Sequence, residues 1–162
     1  MTTVYVQFTD ATETTVKAVF GNPQDATAYP NQATLDSTDA RYQAFVNPAS
    51  TPAGKLLAEA QALLAGEVAI TSTGTPALDG SYAITAADQL HIQAEVQSIM
   101  LNGAFADGSS TVAWPDTSGA VHTFDVTQFK AFATAVGSFV AACYKVLNGS
   151  STTLPSAALT IA

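Results

Sequence analysis

The chain has 162 residues, 48% hydrophobic and only 11% charged, with five basic residues against thirteen acidic ones and a formal net charge of -8. Such a length and apolar content suit one globular domain, or a small core with an N-terminal arm, and exclude a chain disordered throughout. The cations Lys17, Arg41, Lys55, Lys130 and Lys145 are too few and too scattered to displace the counterions of a phosphate backbone, which excludes nucleic acid as a partner class.

Residues 4–8 (Val-Tyr-Val-Gln-Phe) and 15–20 (Thr-Val-Lys-Ala-Val-Phe) are rich in β-branched and aromatic types and are separated by a polar stretch, so they predict a β-hairpin. A lone hairpin is marginal in water, and its apolar face must find another surface, which could belong to a neighbouring chain. Gly21-Asn22-Pro23 breaks the second strand and Tyr29-Pro30-Asn31-Gln32 reads as a turn. Asp36 or Thr38 is placed to cap a short helix carrying Arg41, Tyr42, Phe45 and Val46. Between Asn47 and Pro52 two prolines exclude regular helix and predict an extended linker, dividing a hairpin arm over 1–50 from an α+β domain over 51–162.

Beyond the boundary, Thr51 as cap and Pro52 in the first turn start a helix with an apolar stripe of Leu56, Leu57, Ala60, Leu63 and Leu64, ending at Gly66. Residues 68–71 and 81–84 read as a strand and its returning partner. A helix follows from Thr85 to about Asn102, with Thr85 and Asp88 as a capping pair, Asn102-Gly103 as the stop, and Leu90, Ile92, Val96, Ile99 and Met100 as apolar contacts. Residues 111–114 and 120–124 flank a five-residue loop as a second hairpin. The last helix runs from Val126 to Leu147, capped by Asp125 with Gln128 three positions on, and carries Phe129, Phe132, Ala133, Val136, Phe139, Val140, Cys143 and Leu147 on one stripe. The order of elements predicts an α+β fold, with antiparallel β-hairpins packed against three main α-helices.

With so few charges, the exposed surface must be covered by small uncharged groups, which fits secretion, incorporation in a larger assembly, or burial against identical copies. The helix from Val126 is interrupted by Thr127, Gln128, Lys130, Thr134 and Ser138, short of the roughly 18 consecutive apolar residues of a membrane span, so no membrane insertion is expected. The opening Met1-Thr2-Thr3-Val4-Tyr5 lacks a basic start and an apolar core, so synthesis and folding in the cytoplasm are expected, and a lone Cys143 fits that compartment.

No residue set announces chemistry. His91 and His122 have no metal-ligand spacing, the Asp-Gly turns lack the alternating ligands of a calcium loop, and Gly74-Thr75-Pro76 lacks a phosphate-loop lysine, so neither metal nor cofactor is expected. His122 with Asp125 and a serine could imitate a hydrolase triad, but no nucleophile elbow accompanies them, and the plainer reading has His122 as a cross-strand partner and Asp125 as a helix cap. Cys143 on the apolar stripe reads as a small hydrophobe. Trp114 beside Pro115 either stacks on a sugar ring or anchors an interface, or else plugs the core between hairpin and last helix. The residues placed at a protein interface are therefore Val4, Val6, Phe8, Phe20, Tyr29 and Trp114.

Two groups of segments carry a resemblance. Val4–Phe8, Tyr29–Gln32 and Arg41–Pro48 resemble the start of small bacteriophage tail-fibre assembly and tail-associated proteins. Thr71–Tyr82, Val112–Asp116 and Gly119–Phe124 are similar to an uncharacterised domain of phage and prophage tail proteins. The resemblance implies a structural adaptor, made in the host cytoplasm and located in the virion tail, that contacts a tail-fibre or baseplate protein, with homo-oligomerisation as a further option. The runner-up in the same biology is a tail-fibre assembly chaperone, a receptor- or carbohydrate-binding module using Trp114, Tyr82 and His122 is the alternative from another class, and the resemblance brings no catalytic residues.

Overall fold

The computed structural model describes residues 2–162, which divide into two compact units, one ending at Ala58 and one running Glu59–Ala162. The fold is α+β, with small, mostly antiparallel sheets packed against helices.

In the first unit, β1 (Thr3–Phe8) and β2 (Val16–Phe20) form the expected antiparallel hairpin. A further strand, β3 (Gln32–Asp36), pairs antiparallel with the other edge of β1, giving the order β2-β1-β3. Its residues carry little strand propensity, and β1 templates them through a long-range ladder. The turn before it is fixed by the Gln7 amide, which donates to the Pro30 carbonyl at 3.0 Å. Alternation puts Val6 and Phe8 on one face of β1, where Val16 and Leu35 close a small core over them.

Helix α1 (Ala40–Val46) is capped by Asp39, which accepts the Arg41 N–H; neither of the expected caps serves. Asp36 ends β3 and spends its carboxylate on the Thr38 N–H and hydroxyl, leaving Asp39 next to the helix start. The Arg41 guanidinium hydrogen-bonds the same carboxylate and holds Asp39 down to a pKa of about 2. It also lies over the Phe8 ring, 5.2 Å from the centroid.

The expected extended linker is instead folded: Pro48–Ser50 is a 3-10 turn. Its backbone packs so closely on helix α2 (Pro52–Leu64) that a Cβ added at Gly54 would sit 2.1 Å from the Pro48 carbonyl oxygen. The Thr51 hydroxyl accepts the Gly54 N–H at 3.0 Å, as the sequence leads one to expect. The division between units falls within α2, later than the expected boundary at 50.

In the second unit, β4 (Glu67–Ser72) pairs antiparallel with β5 (Gly80–Ala83). Next come α3 (Ala86–Asn102), the hairpin β6 (Thr111–Pro115) and β7 (Val121–Asp125), and α4 (Val126–Leu147). A last strand, β8 (Ala158–Ile161), lies parallel to β4 on its free edge and was not foreseen. Both helices have the reciprocal caps expected of them, Thr85 with Asp88 and Asp125 with Gln128, and α3 stops at Gly103 with φ 73°. The core joins Val68, Ile70 and Tyr82 from the sheet, Trp114 and Phe124 from the hairpin, and Phe129, Phe132, Val136, Phe139 and Cys143 from α4.

Candidate functional site

The residues assigned to an interface separate once placed. Val6 and Phe8 are 0% and 1% exposed inside the core of the first unit, so they cannot meet another chain as expected; β3 and α1 supply the cover that a two-stranded hairpin lacked. Val4 is half-buried beside them. Phe20 packs edge-on against Tyr29 with centroids 5.3 Å apart, and of the six only Tyr29 presents a largely exposed side chain. Trp114, in the second unit, is 6% exposed, with Phe129 at 5.1 Å and the His91 ring stacked at 4.5 Å, so it is a core residue and not a stacking platform.

The imidazole of His122 faces the core side of its hairpin, in register with Trp114. Its carboxylate partner is Asp116, with Nε2 and Oδ2 3.3 Å apart, while Nδ1 lies 2.7 Å from the Ala77 carbonyl oxygen. Asp125 is engaged at the α4 cap, as the plainer sequence reading has it. Both ring nitrogens thus face oxygen acceptors, the Asp116 carboxylate on one side and the Ala77 carbonyl on the other. Asp116 also accepts from the Ser118 hydroxyl and from the Ser118 and Ala120 amides, and the Ser118 bond does most to hold its carboxyl below the usual range. The loop amide of Thr117 donates to Ser81 on β5, so the constellation ties the hairpin loop to the sheet. Gly80 lets it approach, since a Cβ there would meet Asp116 and His122 at 3.2 Å.

Sequence reasoning missed Asp116, Glu95 and Phe105. Glu95 is buried on α3 and accepts the Ala106 N–H at 2.9 Å, while Phe105, an isolated apolar residue in a polar loop, packs edge-on against Phe129. No group of three or more His, Cys, Asp or Glu side chains converges among the described residues. Burial pushes the Cys143 thiol up, away from the reactive thiolate.

The strongest candidate site lies elsewhere, in an open groove of about 500 Å³ between α3 and α4. Val96 and Met100 of α3 face Ala133, Gly137 and Val140 of α4 across it, Gln89, Gln93 and Thr134 supply neutral polar groups, and Lys130 is its one charged lining residue. Met100, expected among the apolar contacts, is 78% exposed, and so are Leu90 at 67% and Leu101 at 75% on another side of the same helix. α3 therefore carries apolar residues on more sides than its own core covers. α4 also has the length and composition of a membrane span, with a mean hydropathy of 1.2, although its Phe129, Phe132, Val136, Phe139, Cys143 and Val146 are buried.

A family model described as a domain of unknown function, DUF4376, matches residues 40–160, from α1 to the last strand. The chain belongs to the DUF4376 family. The match takes in the whole groove and leaves the three-stranded sheet of the first unit outside it. No curated protein and no solved structure matches the chain significantly.

Proposed function

We propose that this DUF4376 protein is a bacteriophage tail-associated structural or adaptor protein, located in the virion tail, that acts by burying its surface against a tail-fibre or baseplate protein. One observation carries the contact mechanism: α3 and α4 leave an apolar groove open between them, flanked by an exposed Met100, on a molecule with few surface charges. The place in a tail rests on the sequence resemblance of residues 4–8, 29–32 and 41–48 in the first unit and of residues 71–82, 112–116 and 119–124 in the second, the latter running from the end of β4 into β5 and through most of the β6–β7 hairpin. The buried Trp114 speaks against the carbohydrate-binding version, which needs an exposed indole.

Mass spectrometry of purified virions tests the proposal. The protein should be recovered with the tail proteins at a constant ratio across preparations; virions lacking it, from cells that express it well, would remove it from the particle.

A further inference from the structure

We infer that a proton fastens the tip of the β6–β7 hairpin to the neighbouring sheet: His122 sits there as the doubly protonated imidazole, and when the ring gives up one proton the loop Asp116–Ala120 comes away from β5. The inference goes beyond the contact role proposed above and is independent of any place in a tail.

The two acceptors define the state of the ring. Nδ1 lies 2.7 Å from the Ala77 carbonyl oxygen, in the 3-10 turn Pro76–Leu78, and Nε2 lies 3.3 Å from Asp116 Oδ2. A neutral imidazole carries one N–H, so in either tautomer its other nitrogen turns a lone pair toward an oxygen that has no hydrogen to give. Only the cation donates on both sides. The side chains of His122 and Asp116 are 12% and 10% exposed, so water does little to relieve such an opposition. Asp116 stays ionised, because the Ser118 hydroxyl above all, with His122 and the loop amides, holds its carboxyl below the usual range.

The other ionisable groups around the ring are engaged elsewhere. Asp79 accepts the Ser72 N–H, the Tyr82 hydroxyl donates to Leu78, and Asp125 caps α4. On α3, Asp88 and His91 share with Asp116 a cavity of about 250 Å³ beside Trp114. Asp88 is bonded to Thr85, and His91 Nε2 lies 3.8 Å from Glu95. Lys130 of α4 lines the α3/α4 groove. Among the described residues no lysine or arginine pairs with Asp116, which leaves His122 as its one cationic partner.

Loss of the proton acts in one direction. Nδ1 makes the shorter contact, so the neutral ring keeps its hydrogen there and sets the Nε2 lone pair against the carboxylate. Asp116 carries the loop with it, since it accepts the Ser118 hydroxyl and the Ser118 and Ala120 amides. What yields is the bond from the loop to the sheet, the Thr117 N–H on the Ser81 carbonyl at 2.8 Å. Because the closed loop binds one proton more than the open one, closure is complete at low pH and is lost as the pH rises.

The test is made on the full chain between about pH 5 and 8, where imidazole changes charge. Nitrogen NMR of the His122 ring should show both nitrogens protonated at the acid end. Hydrogen exchange of the Thr117 amide, corrected for its intrinsic rate and compared with amides inside α4, should lose protection with rising pH. The loss should reach up to roughly tenfold per pH unit wherever the open loop has released the proton and the closed one still holds it. His122→Gln, which cannot titrate, should abolish that dependence. So should Asp116→Asn, whose amide can donate to the neutral ring while its oxygen stays with Ser118; it serves equally well where His122→Gln fails to fold. A single neutral tautomer at pH 5, flat Thr117 protection in the wild type, or an unchanged pH dependence in either variant would overturn the inference, the last by assigning the effect to His91.

Discussion

Tyr82 shows how a side chain expected only to continue a strand becomes a keystone. Its ring is fully buried against Phe124 and Phe132, with the His122 ring at 5.4 Å, and its hydroxyl donates to the Leu78 carbonyl at 2.7 Å. Burial disfavours the phenolate, the negative charges of Asp116 and Asp79 add to that, and the pKa is pushed up to about 12. Because the folded-state value lies above the unfolded value of about 10, the resulting stabilisation is complete below pH 10 and is lost as the pH climbs through 12. Urea titrations across that range should show the wild type weakening more steeply than Tyr82→Phe, which has no proton to lose there. At neutral pH the variant should be less stable by about 1 kcal/mol, for the missing hydrogen bond. Parallel alkaline slopes for the two proteins would contradict this account. The strand around Tyr82 was legible from its alternation and turns; the burial of its hydroxyl was not, because that depends on α4 and the second hairpin closing over it.

Local signals decided which elements could be read from the sequence. The reciprocal caps of α3 and α4 depend on residues three positions apart, and the β6–β7 hairpin on one short loop, so each is visible in a few neighbouring letters. β3 and β8 are visible only to β1 and β4, the distant strands that pair with them. The groove was hidden for a different reason: Val96, Met100, Ala133 and Val140 have core spacing, and only the placement of the two helices leaves them uncovered. Glycines make the same point, since Gly54 and Gly137 both read as weak spots within helices. A Cβ at Gly54 collides with the Pro48 backbone, whereas one at Gly137 enters open space. Gly54→Ala should therefore destabilise the protein by about 2 kcal/mol or more, and Gly137→Ala should stabilise it by about 0.5–1 kcal/mol. Urea midpoints with unchanged slopes would report both; shifts of the same sign would refute the packing argument.

At the scale of the whole chain, three divisions compete. Composition puts a boundary in the proline stretch after Asn47, the compact units part at Ala58, and the family match begins at residue 40. The two prolines do not make a free tether here, because the turn they shape is packed against the first turn of α2. A cut within α2 would expose the interior of a helix, and a cut after Pro48 would remove the backbone that Gly54 accommodates. The natural place to shorten the chain is therefore just before the turn. The second unit has a continuous core from Val68 to Ile161, including the protein's single tryptophan, Trp114, and about 100 residues is enough to sustain such a core alone. A fragment of residues 47–162 should accordingly fold, giving a sigmoidal urea transition in Trp114 fluorescence that coincides with the loss of helical circular dichroism. A gradual, non-coincident change would mean that this core depends on residues before Asn47.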